Sequence, residues 1–115
     1  MSHKTRKRIA AGGRACAPVF AALGDETRLA IVARLCRGER RSITELTEGS
    51  RLTRQAITKH LRVLEGAGLV RCLQAGRERR FELDAAPIME MQQYLGLVSE
   101  QWDHALSRLK AFVEE

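Results

Sequence analysis

Four side chains in the middle of this chain carry groups suited to one kind of chemistry. Gln55, Thr58, Lys59 and Arg62 fall at i, i+3, i+4 and i+7. On a helix turning about 100° per residue they form one stripe. Ile57, Leu61 and Leu64 fall at i, i+4 and i+7 and form a second stripe on the opposite side. The first stripe offers an amide, a hydroxyl, an ammonium and a guanidinium, and no carboxylate. Those groups bond base edges and phosphates in a major groove, where a carboxylate would repel phosphate. A merely solvated helix usually mixes Glu with Lys on its outer face; this stripe does not.

The flanking sequence supplies elements to position that stripe. Thr53 is placed to cap the helix, and Leu52 and Ile57 bracket the cap as a hydrophobic staple. The helix is expected to run from Thr53 to about Glu65, ended by Gly66 and Gly68. Upstream, Ser42-Ile43-Thr44-Glu45 is a capping-box pattern opening a short helix that Gly49 stops. Two helices around the tight Gly49-Ser50-Arg51-Leu52 turn make a helix-turn-helix outline. Before it, Asp25 caps a helix over TRLAIVARLCR, with Arg34 and Arg37 in its last turn, Cys36 at a core position and Gly38 at its end. A shorter helix is expected from Ala15 to Leu23.

After the second helix, LVRCLQ and RERRFEL flank Ala75-Gly76 and read as a β-hairpin. Arg77, Arg79 and Arg80 surround its tip, with Arg71 on its first strand. Such a hairpin can lie along a DNA backbone or reach into a minor groove. Pro87 suits a helical first turn, and the remainder reads as one long helix to about Val113. The expected fold is mainly α with a small β-hairpin wing, a winged helix-turn-helix. Residues 1–14 are expected to be a flexible basic arm, and residues 15–115 a DNA-binding and dimerisation domain.

Composition narrows the class. The chain has 115 residues, net charge +6, and only 4% aromatic residues. The charge is uneven: residues 1–14 carry five basic side chains and no acid, and residues 50–82 carry eight basic and three acidic ones. Residues 85–115 carry two basic and five acidic ones. The basic segments point to a polyanionic partner. No apolar run is long enough for a membrane span, and no apolar core follows the basic N-terminus as in a secretion signal. Cys16, Cys36 and Cys72 are odd in number and lack a C-x-x-C pair, which fits a reducing cytoplasm rather than a disulfide framework.

The run FAALGDETRLAIVARL, and the run ITELTEGSRLTRQAITKHLRVLEGAGLV after it, resemble the ArsR/SmtB family of bacterial repressors. Phe20-Ala21-Ala22-Leu23-Gly24-Asp25 with Thr27-Arg28-Leu29 matches the family's opening motif. Gln55, Thr58, His60-Leu61, Leu64 and Ala67-Gly68-Leu69-Val70 match its recognition-helix-to-wing motif. The resemblance covers residues 18–84 closely and the last helix more loosely. It implies a homodimeric winged helix that represses by occupying operator DNA, with the first and last helices forming the dimer interface. The expected DNA-binding residues are Thr53, Arg54, Gln55, Thr58, Lys59, Arg62, Arg77, Arg79 and Arg80. Those expected at the dimer interface are Phe20, Leu95, Val98, Trp102, Leu106 and Leu109.

The sequence permits that interface on its own terms. Ile88, Met91, Leu95, Val98, Trp102, Leu106, Leu109 and Phe112 follow three- and four-residue steps. A helix of about 27 residues is about 40 Å long, more than one small core covers. Many relatives release DNA on binding a metal, but the usual ligands are missing. The stretch Glu45-Leu46-Thr47-Glu48-Gly49-Ser50-Arg51 lacks the thiols that soft ions need, and Asp103 and His104 are adjacent with no second His after them. No metal or other cofactor is expected, and the effector is left open. Nor is catalysis expected, since no phosphate loop or nucleophile motif is present. Two alternatives stand: a thiol- or metalloid-responsive derepressor using the cysteines, and a partner-binding module without DNA affinity. The expected partners are double-stranded DNA and a second copy of the chain.

Overall fold

The computed structural model describes residues 1–114. In chain order its elements are α1 (His3–Leu23), α2 (Glu26–Leu35), β1 (Arg41–Ser42), α3 (Ile43–Thr47), α4 (Arg54–Gly66), β2 (Val70–Ala75), β3 (Glu78–Leu83) and α5 (Ala86–Glu114). The chain divides into two compact units. One is Pro18–Ile88; the other joins Met1–Ala17 to the segment starting at Met89.

The Pro18–Ile88 unit is built on capped helices around an aliphatic core. Asp25 Oδ2 accepts the Arg28 N–H at 2.9 Å and starts α2, whose Ile31, Val32 and Leu35 are buried. Ser42 closes a full capping box on α3: its hydroxyl accepts the Glu45 N–H at 3.1 Å, and its own N–H donates to Glu45 Oε1 at 3.2 Å. Thr53 Oγ1 accepts the Ala56 N–H at 3.1 Å and starts α4. Gly66 is still helical, and Gly68 is the true stop. At φ +78° it lets its own N–H reach the Glu65 carbonyl at 2.9 Å and the Leu69 N–H reach the Leu64 carbonyl at 3.0 Å. That is a Schellman closure, and the left-handed backbone it needs is where glycine costs least. The core gathers Leu35, Leu46, Ile57, Leu61, Leu64, Leu69 and Val70, all almost wholly buried.

The hairpin pairs Val70 with Leu83 through to Ala75 with Glu78, and Gly76 carries the positive φ of its two-residue loop. The sheet has a third strand. β1 pairs antiparallel with β3, Arg41 opposite Phe81 and Ser42 opposite Arg80, giving the order β1-β3-β2. Two residues are too few for an alternating pattern, so this strand has no sequence signature.

In the other unit, residues 3–14 are helical, not a flexible arm, and α1 begins twelve residues earlier than Ala15. Ser2 acts as its cap, its hydroxyl accepting the Thr5 N–H at 3.1 Å. Gly12 and Gly13 admit a ring rather than loosen the chain: a Cβ on Gly12 would lie 2.9 Å from Tyr94 Cδ1 of α5. The absence of a side chain there allows close packing. Met1, Ile9, Val98, Gln101, Trp102 and Ala105 line a shallow, largely apolar hollow in the same unit. A second correction concerns Cys36, expected in the core. It is exposed, because α2 ends at Leu35 and Cys36 falls in the cap.

The capping carboxylates tie stability to acid. The Ser42 N–H, above all, holds the Glu45 carboxyl below its ordinary value, and the Arg28 N–H does the same for Asp25. Their contribution is complete above the unfolded-state pKa values and is lost as pH falls through the lower folded ones, below about pH 4. Thermal melts should therefore show Tm dropping below that pH, and Glu45→Gln should flatten part of the drop. Ser42→Ala should cost about 1 kcal/mol at neutral pH. An acid limb unchanged in Glu45→Gln would remove Glu45 from this role.

Candidate nucleic-acid interface

α3 has five residues, too few to hold itself as an isolated helix. Arg34 of α2 secures it. The guanidinium donates from Nη2 to the Glu45 carbonyl and from Nη1 to the Leu46 carbonyl, both at 3.0 Å. These are carbonyls a short helix leaves without internal partners. Arg28 secures α4 from behind. Its Nε donates to the Ala22 carbonyl, and its Nη1 lies 3.2 Å from His60 Nδ1, which accepts in the neutral tautomer that carries its proton on Nε2. Asp25 Oδ2 stands 3.8 Å from the same ring nitrogen.

With α4 held in this way its two faces separate as the spacing predicts. Ile57, Leu61 and Leu64 are buried. Gln55, Lys59, Arg54 and Arg62 are exposed and Thr58 is half-buried, and these five line one shallow hollow. The Thr58 hydroxyl donates to the Arg54 carbonyl at 2.7 Å, so toward a ligand it is an acceptor. Arg54 also donates to Thr44 Oγ1 and so bridges α4 to α3. Thr53 is exposed at the start of the helix, its hydroxyl engaged in capping.

The hairpin arginines do not act as one group. Arg77 and Arg79 share a hollow with Ser42, Ile43, Thr44, Arg54 and Glu78. Arg79 also borders a second hollow, with Thr58 and Arg62 of α4, Glu65, Cys72 and Phe81. The base of the wing thus meets the polar side of α4. Arg80 points to the other face of β3. It pairs with Glu78 at 3.2 Å and with Glu45 at 3.4 Å, and donates to the Arg40 carbonyl at 3.4 Å. Arg71 pairs with Glu82 at 3.2 Å. The structure therefore brings Arg54, Gln55, Thr58, Lys59, Arg62, Arg77 and Arg79 together and leaves Arg80 and Arg71 in ion pairs elsewhere. Sequence reasoning misses the positioning roles of Arg34 and Arg28. The one signal for Arg28 is its place in the opening motif; Arg34 reads from sequence only as a cation near a helix end.

Among the described residues no group of three or more His, Cys, Asp or Glu side chains is arranged to hold a metal ion. Cys16 is buried and Cys72 half-buried. No helix is long and apolar enough to cross a membrane among the described residues. What the assembled surface can do is donate: amide, ammonium and guanidinium groups project from one helix face beside a cationic hairpin, a set suited to phosphates and base edges.

Comparison with known proteins agrees. Residues 23–72 match the family described as Helix-turn-helix domain. The chain is 38% identical over 79 residues to the uncharacterized HTH-type transcriptional regulator YuzN of Bacillus subtilis, covering 64% of this chain and 86% of that protein. It is 36% identical over 86 residues to the HTH-type transcriptional regulator Rv2034 of Mycobacterium tuberculosis, covering 75% and 77%. Its fold is similar to that of an ArsR-like transcriptional regulator from Rhodococcus sp. RHA1, with TM-score 0.81 and 35% identity over 91% of this chain and 95% of that one.

The Arg34 fork is directly testable. Arg34→Ala should speed amide hydrogen exchange across residues 43–48 and lower stability by about 1.5–3 kcal/mol, the scale of bonds from a charged donor. Arg34→Lys, a single point donor, should recover only part of this. Exchange in α3 unchanged by Arg34→Ala would show that the helix is held otherwise.

Proposed function

Because this chain belongs to the ArsR family of helix-turn-helix transcriptional regulators, we propose that it is a sequence-specific repressor that binds an inverted-repeat operator as a homodimer. One observation carries the reading: Arg54, Gln55, Thr58, Lys59 and Arg62 of α4 line one outward hollow without a carboxylate, beside Arg77 and Arg79 of the wing. Gln55, Thr58 and Lys59 read bases in the major groove. Thr53, Arg54, Arg62, Arg77 and Arg79 hold phosphates or enter the adjacent minor groove. Arg80 is not assigned to DNA, since its charge is already met by Glu45 and Glu78. The two α4 helices of a dimer enter successive major grooves about one helical turn apart. This reading places the protein in the cytoplasm, with the chromosome.

The dimer is supported by the outer row of α5. Leu95, Trp102, Leu106 and Leu109 are exposed, Trp102 to 62%, and Phe112 and Val113 extend the row. Val98, on α5, and Phe20, on α1, are half-buried. A contiguous apolar row of this size on a small protein marks an association surface. A second copy is the partner that a two-fold operator requires.

Titration of DNA from the protein's own promoter, against random DNA and across salt, tests the DNA half. Arg79→Ala should weaken both DNAs alike and reduce the slope of log K on log salt by about one. Gln55→Ala should instead lower the operator-to-random ratio, by about 1–3 kcal/mol of discrimination. Equal loss on both DNAs would remove Gln55 from base reading. Sedimentation velocity tests the dimer. Trp102→Glu with Leu106→Glu should give a folded monomer with reduced operator affinity, and a double variant that sediments as wild type would refute this interface.

A further inference from the structure

That reading leaves the N-terminal cations unused. Lys4, Lys7, Arg8 and Arg14 lie within about 120° of one another around α1, at 100° per residue, with Ala11 among them. All four are exposed, while Thr5, Ile9, Gly12 and Cys16 on the opposite side are half-buried or buried. α1 contains no acidic residue, and none of the ion pairs among the described residues engages these four cations. Cations in the first turns oppose the helix dipole, which favours negative charge there. The free helix thus carries an unfavourable charge arrangement that a polyanion relieves.

We propose that this stripe of α1 is a second, sequence-independent contact for the phosphates of double-stranded DNA. The proposal rests on the DNA-binding reading above. Lys4 to Arg14 spans about 15 Å of helix, against one phosphate per ~3.4 Å of axis on each DNA strand. The stripe carries four cations and no amide or hydroxyl, a set that neutralises phosphates whatever the base sequence, so it adds affinity rather than selectivity. It has no aromatic side chain for stacking on single strands. The apolar side chains that would sink such a helix into lipid are on its half-buried side.

The test compares the full chain with its Lys4→Gln/Lys7→Gln/Arg14→Gln variant on promoter and random DNA across salt, with far-UV circular dichroism to follow α1. The variant should keep its helicity and its operator-to-random ratio. Its salt slope should shrink by about 0.9 for each phosphate that the stripe no longer neutralises. The charge-preserving variant Lys4→Arg/Lys7→Arg/Arg14→Lys should match wild type. Single Lys7→Gln carries the same test, at about 0.9, should the triple variant lose structure. An unchanged slope in the Gln variants, while Arg79→Ala still shifts it, would overturn the α1 contact alone. A wild type without salt-dependent DNA affinity would overturn both readings. Anionic phosphatidylserine vesicles that bind wild type but not the triple variant, with DNA binding intact, would assign the stripe to membranes and overturn the proposal.

Discussion

The rotation of α4 about its own axis is the constraint on which the rest of the site depends. Burying Ile57, Leu61 and Leu64 fixes that rotation. Each such side chain contributes about 1.5–3 kcal/mol when fully buried, against about 1 kcal/mol net for a typical hydrogen bond. The apolar stripe therefore sets the orientation, and the polar bonds refine it. Turning the helix by one residue, about 100°, would carry Thr58, Arg62 and Glu65 toward the core, or Ala56, His60 and Val63 in the other sense, and expose aliphatic carbon. What α4 shows to solvent is a consequence of what it hides.

The polar bonds then fix distances that apolar packing leaves loose. Arg34 holds the short α3 by two carbonyls, Ser42 and Glu45 close its first turn, and Arg54 ties α4 to α3 through Thr44. Behind α4, Arg28 joins the His60 ring to the end of α1. The two helices and their turn are thereby held on rigid elements, which a base-reading surface needs.

The arginines of the wing divide between two faces of the sheet. Along β3, side chains alternate between two faces. On one face Glu78, Arg80 and Glu82 meet Glu45, Arg40 and Arg71, and their charges cancel locally. On the other, Arg79 stands with Phe81 beside α4. Three arginines near one tip thus divide between fold and surface, and only the partners across the sheet decide which goes where.

The sequence by itself determined most of what is local. The caps at Asp25, Ser42 and Thr53, the two opposed stripes of α4 and the hairpin around Gly76 all rest on interactions between residues close in the chain, and all are present as expected. The candidate site was legible for the same reason: the stripe from Gln55 to Arg62 is a matter of helical period. What the tertiary structure decided depends on residues far apart in the chain. β1 exists because Arg41 and Ser42 meet β3 some forty residues later. α1 starts at His3, and its two glycines admit the Tyr94 ring, where sequence alone suggests looseness. Cys36 is exposed because α2 ends one residue before it, and Arg80 is neutralised by Glu45, a residue of another element. Periodicity and capping are encoded within a helical turn; which distant partner a side chain meets is settled only when the chain folds.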